Sequence, residues 1–153
     1  MSDKSPASLR RRFAAMLYDG LLIVALLFLV TVPFIALRGG EAVEGSAAYN
    51  LSLLLVVYLF FLGFWSTRGR TLGMQSWGLQ LEDARGRVPN PWQASVRFAV
   101  GLVSLALAGL GFFWQLVDKE RMTWHDRASG TRLMHYPRPK KPKKQRGKSR
   151  EPA

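Results

Sequence analysis

Four ionisable residues stand inside or against apolar sequence. Arg12 and Asp19 lie in "RRRFAAMLYDGLLIVALLFLV" (residues 10–30), Arg97 heads a later apolar run, and Asp126 sits in "WHDRASGT". A charge in such a run is expensive unless it faces a protein interior and finds a partner there. Two kinds of chemistry meet that demand: paired charges that hold helices together, or groups that bind an ion or relay a proton. Arg12 lies two turns before Asp19 on one helix face, with Ala15 between them. The rise of about 10.5 Å and the N-terminal lean of helical side chains carry Arg12 away from it. Arg97 is therefore the expected partner of Asp19, the alternative being that Asp19 only hydrogen-bonds a neighbour and so ties helices together. It belongs to a stripe of small residues, Gly101, Ser104 and Ala108, that lets membrane helices approach closely. Asp126 is expected to cap the helical turn 127–130 or to pair with Arg127, Arg132 or Arg12.

Other chemistries are poorly served. His125 and Asp126 are neighbours, but no serine or cysteine is arranged around them as a nucleophile, and no enzymatic activity is expected. The chain has no cysteine and only two histidines, His125 and His135, so disulfides are excluded and neither a metal site nor a cofactor is expected. The glycines of "TRGRTLG" lack the spacing of a phosphate-binding loop.

The elements that must position these charges are apolar blocks. Phe13–Leu37 is broken only by Asp19 and Pro33, and as a helix it reaches about 37 Å, more than the roughly 30 Å of a bilayer core. It is too long for the core of a signal peptide, and no small-residue cleavage site follows, so an uncleaved anchor is expected. Ala47–Ser66 carries no charge and has Tyr49 and Trp65 near its ends, where interfacial aromatics belong. Phe98–Val117 is likewise uncharged. Soluble helices keep a polar face, and these do not.

Charge sets orientation. Residues 1–12 carry net +3, 38–48 net −1, 67–97 net +3 and 118–153 net +8. By the positive-inside bias both termini and the middle loop are cytoplasmic in a bacterial cell membrane. One crossing by the third block would export the tail. Gly109 and Gly111 offer a break in it, and "NPW" a start, with Asn90 capping and Pro91 in the first turn. Helices near 91–107 and 110–124 are thus expected to enter and return. The alternative is one continuous helix aligning Arg97, Gly101, Ser104, Ala108, Gly111, Gln115 and Asp118 on a single face. The fold class is an all-α integral membrane protein, with two transmembrane helices and a third apolar segment forming a returning hairpin. The alternating runs at Leu79–Asp83 and "TRLMHY" form a small juxtamembrane strand pair. Residues 1–9 read as a short N-terminal tail, 10–136 as the membrane domain, and 137–153 as a disordered basic tail.

Taken together, "RRFAAMLYDG", "GRTLGMQSWGLQLED" and "WHDRASGTRLM" resemble the RDD family of bacterial membrane proteins, named for one arginine and two aspartates. The resemblance covers about residues 10–135. It places Arg12, Asp19 and Asp126 at the three named positions, and, with Arg97, makes them candidates for ligand binding or charge relay. Ala15, Gly73, Gly101, Gly109, Gly111, His125 and Gly130 are expected to be structural. Relatives often carry a basic residue after T-L-G, where this chain has Met74. The resemblance implies transport of an unidentified ion or small ligand, by an oligomer because so few helices enclose no pathway alone. The alternative is a non-catalytic membrane adaptor or assembly factor that binds a partner membrane protein. The basic tail suits anionic lipid headgroups, at about 1 kcal/mol per basic residue near the surface. Nucleic acid is disfavoured, since no aromatics interleave with the charges. A reporter fused after Ala153 is expected to read cytoplasmic, on the side of the N-terminus. An alkaline-phosphatase fusion there that is active outside would restore the single crossing.

Overall fold

A computed structural model describes residues 4–39 and 46–137. Two helices are long and apolar enough to cross a membrane: α1, Leu9–Leu37, and α2, Ala47–Arg68. Large side chains on both, such as Leu17, Leu29 and Leu51, are about two-thirds exposed, as side chains that face lipid would be. Few polar contacts join the pair. Thr31 and Tyr49 share a hydroxyl hydrogen bond of 2.7 Å, and Phe34 packs edge-on to Tyr49. Pro33 sits within α1 without ending it.

After α2 the chain turns at Gly69, whose φ of +64° suits glycine. It then forms the short helix α3, Leu72–Ser76, and strand β2, Leu79–Asp83. Strand β3, Thr131–His135, pairs antiparallel to β2 with Leu81 opposite Leu133, so the expected strand pair forms. A third strand, β1 at Ser5–Pro6, joins the free side of β3, giving the order β1-β3-β2. Residues 5–9 are thus not a tail: they enter the sheet and start α1. Two residues with a proline carry no alternation, so this strand left no mark in the sequence. The basic segment from 138 onward lies outside the described residues, as does 40–45.

The third apolar block is broken, at the glycine the sequence offered for it. Helix α4, Pro91–Ala106, starts on Asn90, whose side chain accepts from Gln93 N while Gln93 reaches back to Asn90 N. Its 16 residues rise about 24 Å. Ala108 and Gly109 then both take positive φ, 53° and 78°, and the axis bends by 107° into Leu110–Leu116. The second arm is shorter than the sequence suggested. It comprises α5, Leu110–Phe113, and one 3-10 turn, Trp114–Leu116, in place of a helix to 124. The chain then forms a separate helix, α6, Trp124–Ser129, which packs on α4. Asp118 ends the second arm early, because its carboxylate accepts from Met122 N and binds Arg127.

The buried apolar core is not between the long helices. It lies where the sheet meets their ends, built from Leu79, Leu81, Leu133, Ala7, Ala15, Trp65, Met74 and Ala94. Lipid tails are as apolar as leucine, so burial drives packing only where water would otherwise reach. Each of the three sheet leucines contributes about 1.5–3 kcal/mol by leaving water. Tight backbone approach also decides positions. A Cβ on Gly111 would lie 2.5 Å from Ser104 Oγ, whereas one on Gly101 would meet nothing within 4 Å. Gly111→Ala is therefore expected to lower the unfolding midpoint in detergent, by about 1–3 kcal/mol of stability. Gly101→Ala should leave the midpoint unchanged or raise it, and the reverse order would show that the bend is not packed in this way.

Candidate functional site

Three of the four charged candidates meet at one point. Asp126 Oδ1 receives Arg97 Nη1 at 2.6 Å, and Asp126 Oδ2 receives Arg12 Nη2 at 2.8 Å. The arginines come from α4 and α1 and the carboxylate from α6, and all three side chains are at least 96% buried. Helix α6 supplies the carboxylate because Thr123 and Asp126 form a capping box. The Thr123 hydroxyl accepts from Asp126 N, and Asp126 Oδ2 accepts from Thr123 N at 3.1 Å. Burial pushes the Asp126 carboxyl up, but the Arg97 and then the Arg12 guanidinium outweigh it and hold it well below the usual carboxylate range. A carboxylate so held is a poor base and a poor proton shuttle.

The arginines are themselves braced. Arg97 Nη1 also donates to Thr131 Oγ1 at 3.0 Å, and its guanidinium lies over the Trp65 ring, 5.5 Å from the centroid. Arg12 Nε donates to Ala7 O, which also accepts from Gln115 Nε2 at 2.8 Å. His125 stacks on Phe112 with centroids 4.7 Å apart. Burial first, and the Arg97 charge second, lower its pKa to about 3, so the ring is neutral at pH 7.

Asp19 stands apart, and the expected Asp19–Arg97 pair does not form. Its Oδ2 accepts from Thr71 Oγ1 at 2.5 Å and its Oδ1 from Gly73 N at 2.9 Å. The Thr71 hydroxyl in turn accepts from Met74 N at 3.2 Å, so one carboxylate holds the first turn of α3 against α1. Gly73 is obligatory here, since a Cβ would lie 2.8 Å from Asp19 Cγ. The alternative reading holds instead: Asp19 hydrogen-bonds its neighbours and has no cation beside it. Backbone and hydroxyl donors at a helix start suffice. The signal was present in "TLG": a threonine before a short helix is an N-cap, and its hydroxyl has a proton to give.

Trp65 likewise departs from its expected interfacial place and is buried under Arg97. Asp126 does bind Arg12, one of the partners considered for it, but it does not cap a turn at 127–130: α6 starts at Trp124 on the N-cap Thr123, and Asp126 lies inside its first turn. The other basic residues considered for it go elsewhere: Arg127 binds Asp118 at 2.5 Å and Arg132 binds Glu120 at 3.2 Å. Residues that sequence reasoning missed are Thr71, Thr123 and Thr131, each a fully buried hydroxyl touching one of the two aspartates or Arg97.

Above the cluster, α1, α2 and α4 leave a cleft of about 300 Å³. Arg12, Arg97 and His125 line one end of it and Ile23, Val57 and Leu105 the other, with Asp19 between them, nearer to Ile23 along α1.

The two aspartates predict different mutational behaviour. Asp126→Ala leaves two arginines unpaired in a dry site and should cost about 3–5 kcal/mol. Adding Arg97→Ala to Asp126→Ala should cost less than the sum of the single changes. Asp19→Ala and Arg97→Ala should instead add. Unfolding free energies in detergent check this, and coupling between Asp19 and Arg97 but not between Asp126 and Arg97 would overturn the assignment.

Among known proteins, no curated sequence and no solved structure matches this chain. The model of the RDD family matches residues 6–130, most of the length. That span takes in both long helices, the broken third segment and the Arg12–Asp126 contact, and with this match the chain belongs to the RDD family, a family of membrane proteins.

Proposed function

We propose that the protein is a non-catalytic, multipass component of the bacterial cytoplasmic membrane that binds a small ligand in the cleft between α1, α2 and α4. Its sheet end faces the cytoplasm and it works in transport as a homo-oligomer. The observation that carries the reading is the cleft itself. Its volume of about 300 Å³ is at the lower end of what small-molecule sites occupy, and it joins apolar walls to a few buried polar groups. The orientation follows from the positive charge of the segments that meet at the sheet end, including Lys4, Arg11, Arg68 and Arg87. The oligomer is needed because two long helices and a bent one enclose no continuous path, so the remaining wall must come from a second copy. The basic segment beyond 137 suits anionic headgroups of the cytoplasmic leaflet.

A second reading, a membrane adaptor, is favoured by one feature. Asp126 and its two arginines already satisfy one another in fixing the sheet module to the helices, as a scaffold would require. Two measurements separate the readings. Crosslinking in native membranes is expected to trap a homo-oligomer. Proteoliposomes loaded with mixed inorganic salts and with short- and medium-chain carboxylates should release at least one of them faster than protein-free liposomes, and the Gly101→Phe variant should not. A monomer that releases nothing, and that co-isolates with one defined membrane protein, would establish the adaptor instead.

A further inference from the structure

The cleft is graded in polarity along its length. On α1, Arg12 lies at the sheet end and Ile23 about 16 Å further along the axis. On α4, Arg97 lies at the sheet end and Leu105 about 12 Å away; on α2, Trp65 and Val57 are separated by about the same distance. Each helix therefore presents a polar or indole-bearing residue at the sheet end and hydrocarbon at the far end, with Asp19 between the two on α1.

The polar end is also unfinished. Arg12 Nη1, Trp65 Nε1 and His125 Nδ1 are buried without a hydrogen-bond partner among the described residues, and all three residues line the cleft. Two of those atoms can only donate, and a neutral imidazole can offer its Nδ1–H as a third donor. A buried donor left unmade costs about 1–3 kcal/mol, so three beside one cleft mark a place for acceptor oxygens. The charge points the same way. Arg12 and Arg97 share a single carboxylate, Asp126, which leaves one positive charge in excess at this end. Asp19, the other carboxylate on the lining, is two helical turns from Arg12 with both oxygens engaged by Thr71 and Gly73. It offsets that excess at a distance and does not complete the Arg12 fork. A small inorganic anion would satisfy the donors but leave the apolar length of the cleft unfilled.

We propose that the cleft receives a single-chain amphiphile with an oxyanion head, carboxylate or phosphate, its head beside Arg12 and Trp65 and its chain along Phe98, Leu102 and Leu105. The inference rests on the ligand-binding reading above and names the class of ligand. Hydrocarbon neighbours suit the chain, and a bidentate guanidinium suits a planar carboxylate or a phosphate edge.

The test uses the full chain in phosphatidylcholine nanodiscs, with labelled dodecanoate, dodecyl phosphate and dodecanol as probes and acetate and inorganic phosphate as competitors. Gly101→Phe is the blocking variant, since a Cβ at Gly101 meets nothing within 4 Å and the ring grows into the cleft. Gly20→Leu serves as a second plug if the first fails to fold, because Gly20 also lines the cleft with open space around it. Dodecanoate or dodecyl phosphate should bind at least about tenfold more tightly than dodecanol, from one charge-assisted contact. The plug should weaken that binding by at least about tenfold, at the scale of lost apolar contact. Trp65→Phe should reduce the head preference about threefold, the scale of one hydrogen bond. Equal binding of dodecanol and dodecanoate, both lost on plugging, would overturn the oxyanion head while leaving a ligand-binding cleft. Displacement by acetate or phosphate at equal concentration would overturn the chain and make the ligand a free anion. Binding that neither plug alters would overturn both this inference and the cleft reading beneath it.

Discussion

The contact on which the rest of the molecule depends is the double engagement of Asp126 by Arg12 and Arg97. These three residues come from the first helix, the fourth and the sixth, which nothing else in the sequence obliges to meet. Long apolar helices in lipid have little hydrophobic reason to choose one arrangement over another. A buried carboxylate between two guanidiniums supplies that reason, because each partner left alone would be far more costly than the pair. The bridge need not raise stability above that of an apolar alternative. What it does is penalise every arrangement in which the three helices fail to converge.

Around that bridge the two aspartates perform parallel tasks by different means. Each holds a helix of five or six residues, too short to be stable alone, against the longer ones. Asp126 belongs to its short helix and reaches outward to cations. Asp19 belongs to a long helix and reaches across to the hydroxyl of Thr71 and the amide of Gly73. One carboxylate is matched by charge and the other by oriented dipoles. The result is a small module of sheet and short helices locked beneath the long ones, with β1 and Ala7 tying the start of the chain into it.

That locking leaves a cleft with a polar end. The ion bridge ties α1 to α4 at the sheet end, beside the leucine core, and Trp65 of α2 packs under Arg97 there. Beyond it, α4 ends at the Ala108–Gly109 reversal and the second arm turns away from the axis. Most of the polar groups therefore lie at the sheet end, with Asp19 further along α1, and hydrocarbon lines the rest. The ligand-binding reading follows from this asymmetry: the groups that organise the fold also set the chemistry of the space they border.

Much of this was legible in the sequence because it depends on composition and local rules. Two apolar runs of spanning length, the break at Gly109, the Asn90–Pro91 start and the alternation of the two longer strands are each written in local sequence. The break in the third segment was expected too, from its two glycines and from the eight net charges that follow it. Partner choice was not legible. Small-residue spacing brought Asp19 and Arg97 together on paper, because periodicity says which face a residue occupies but not which helix lies opposite. Only the tertiary structure decided that Arg97 meets a carboxylate 29 positions later, and that Asp19, 52 positions before Thr71, needs no cation. The physical reason is the same in both cases. A charge is satisfied by whatever donor or acceptor the packed chain places within about 3 Å of it, and that placement is a property of the whole fold.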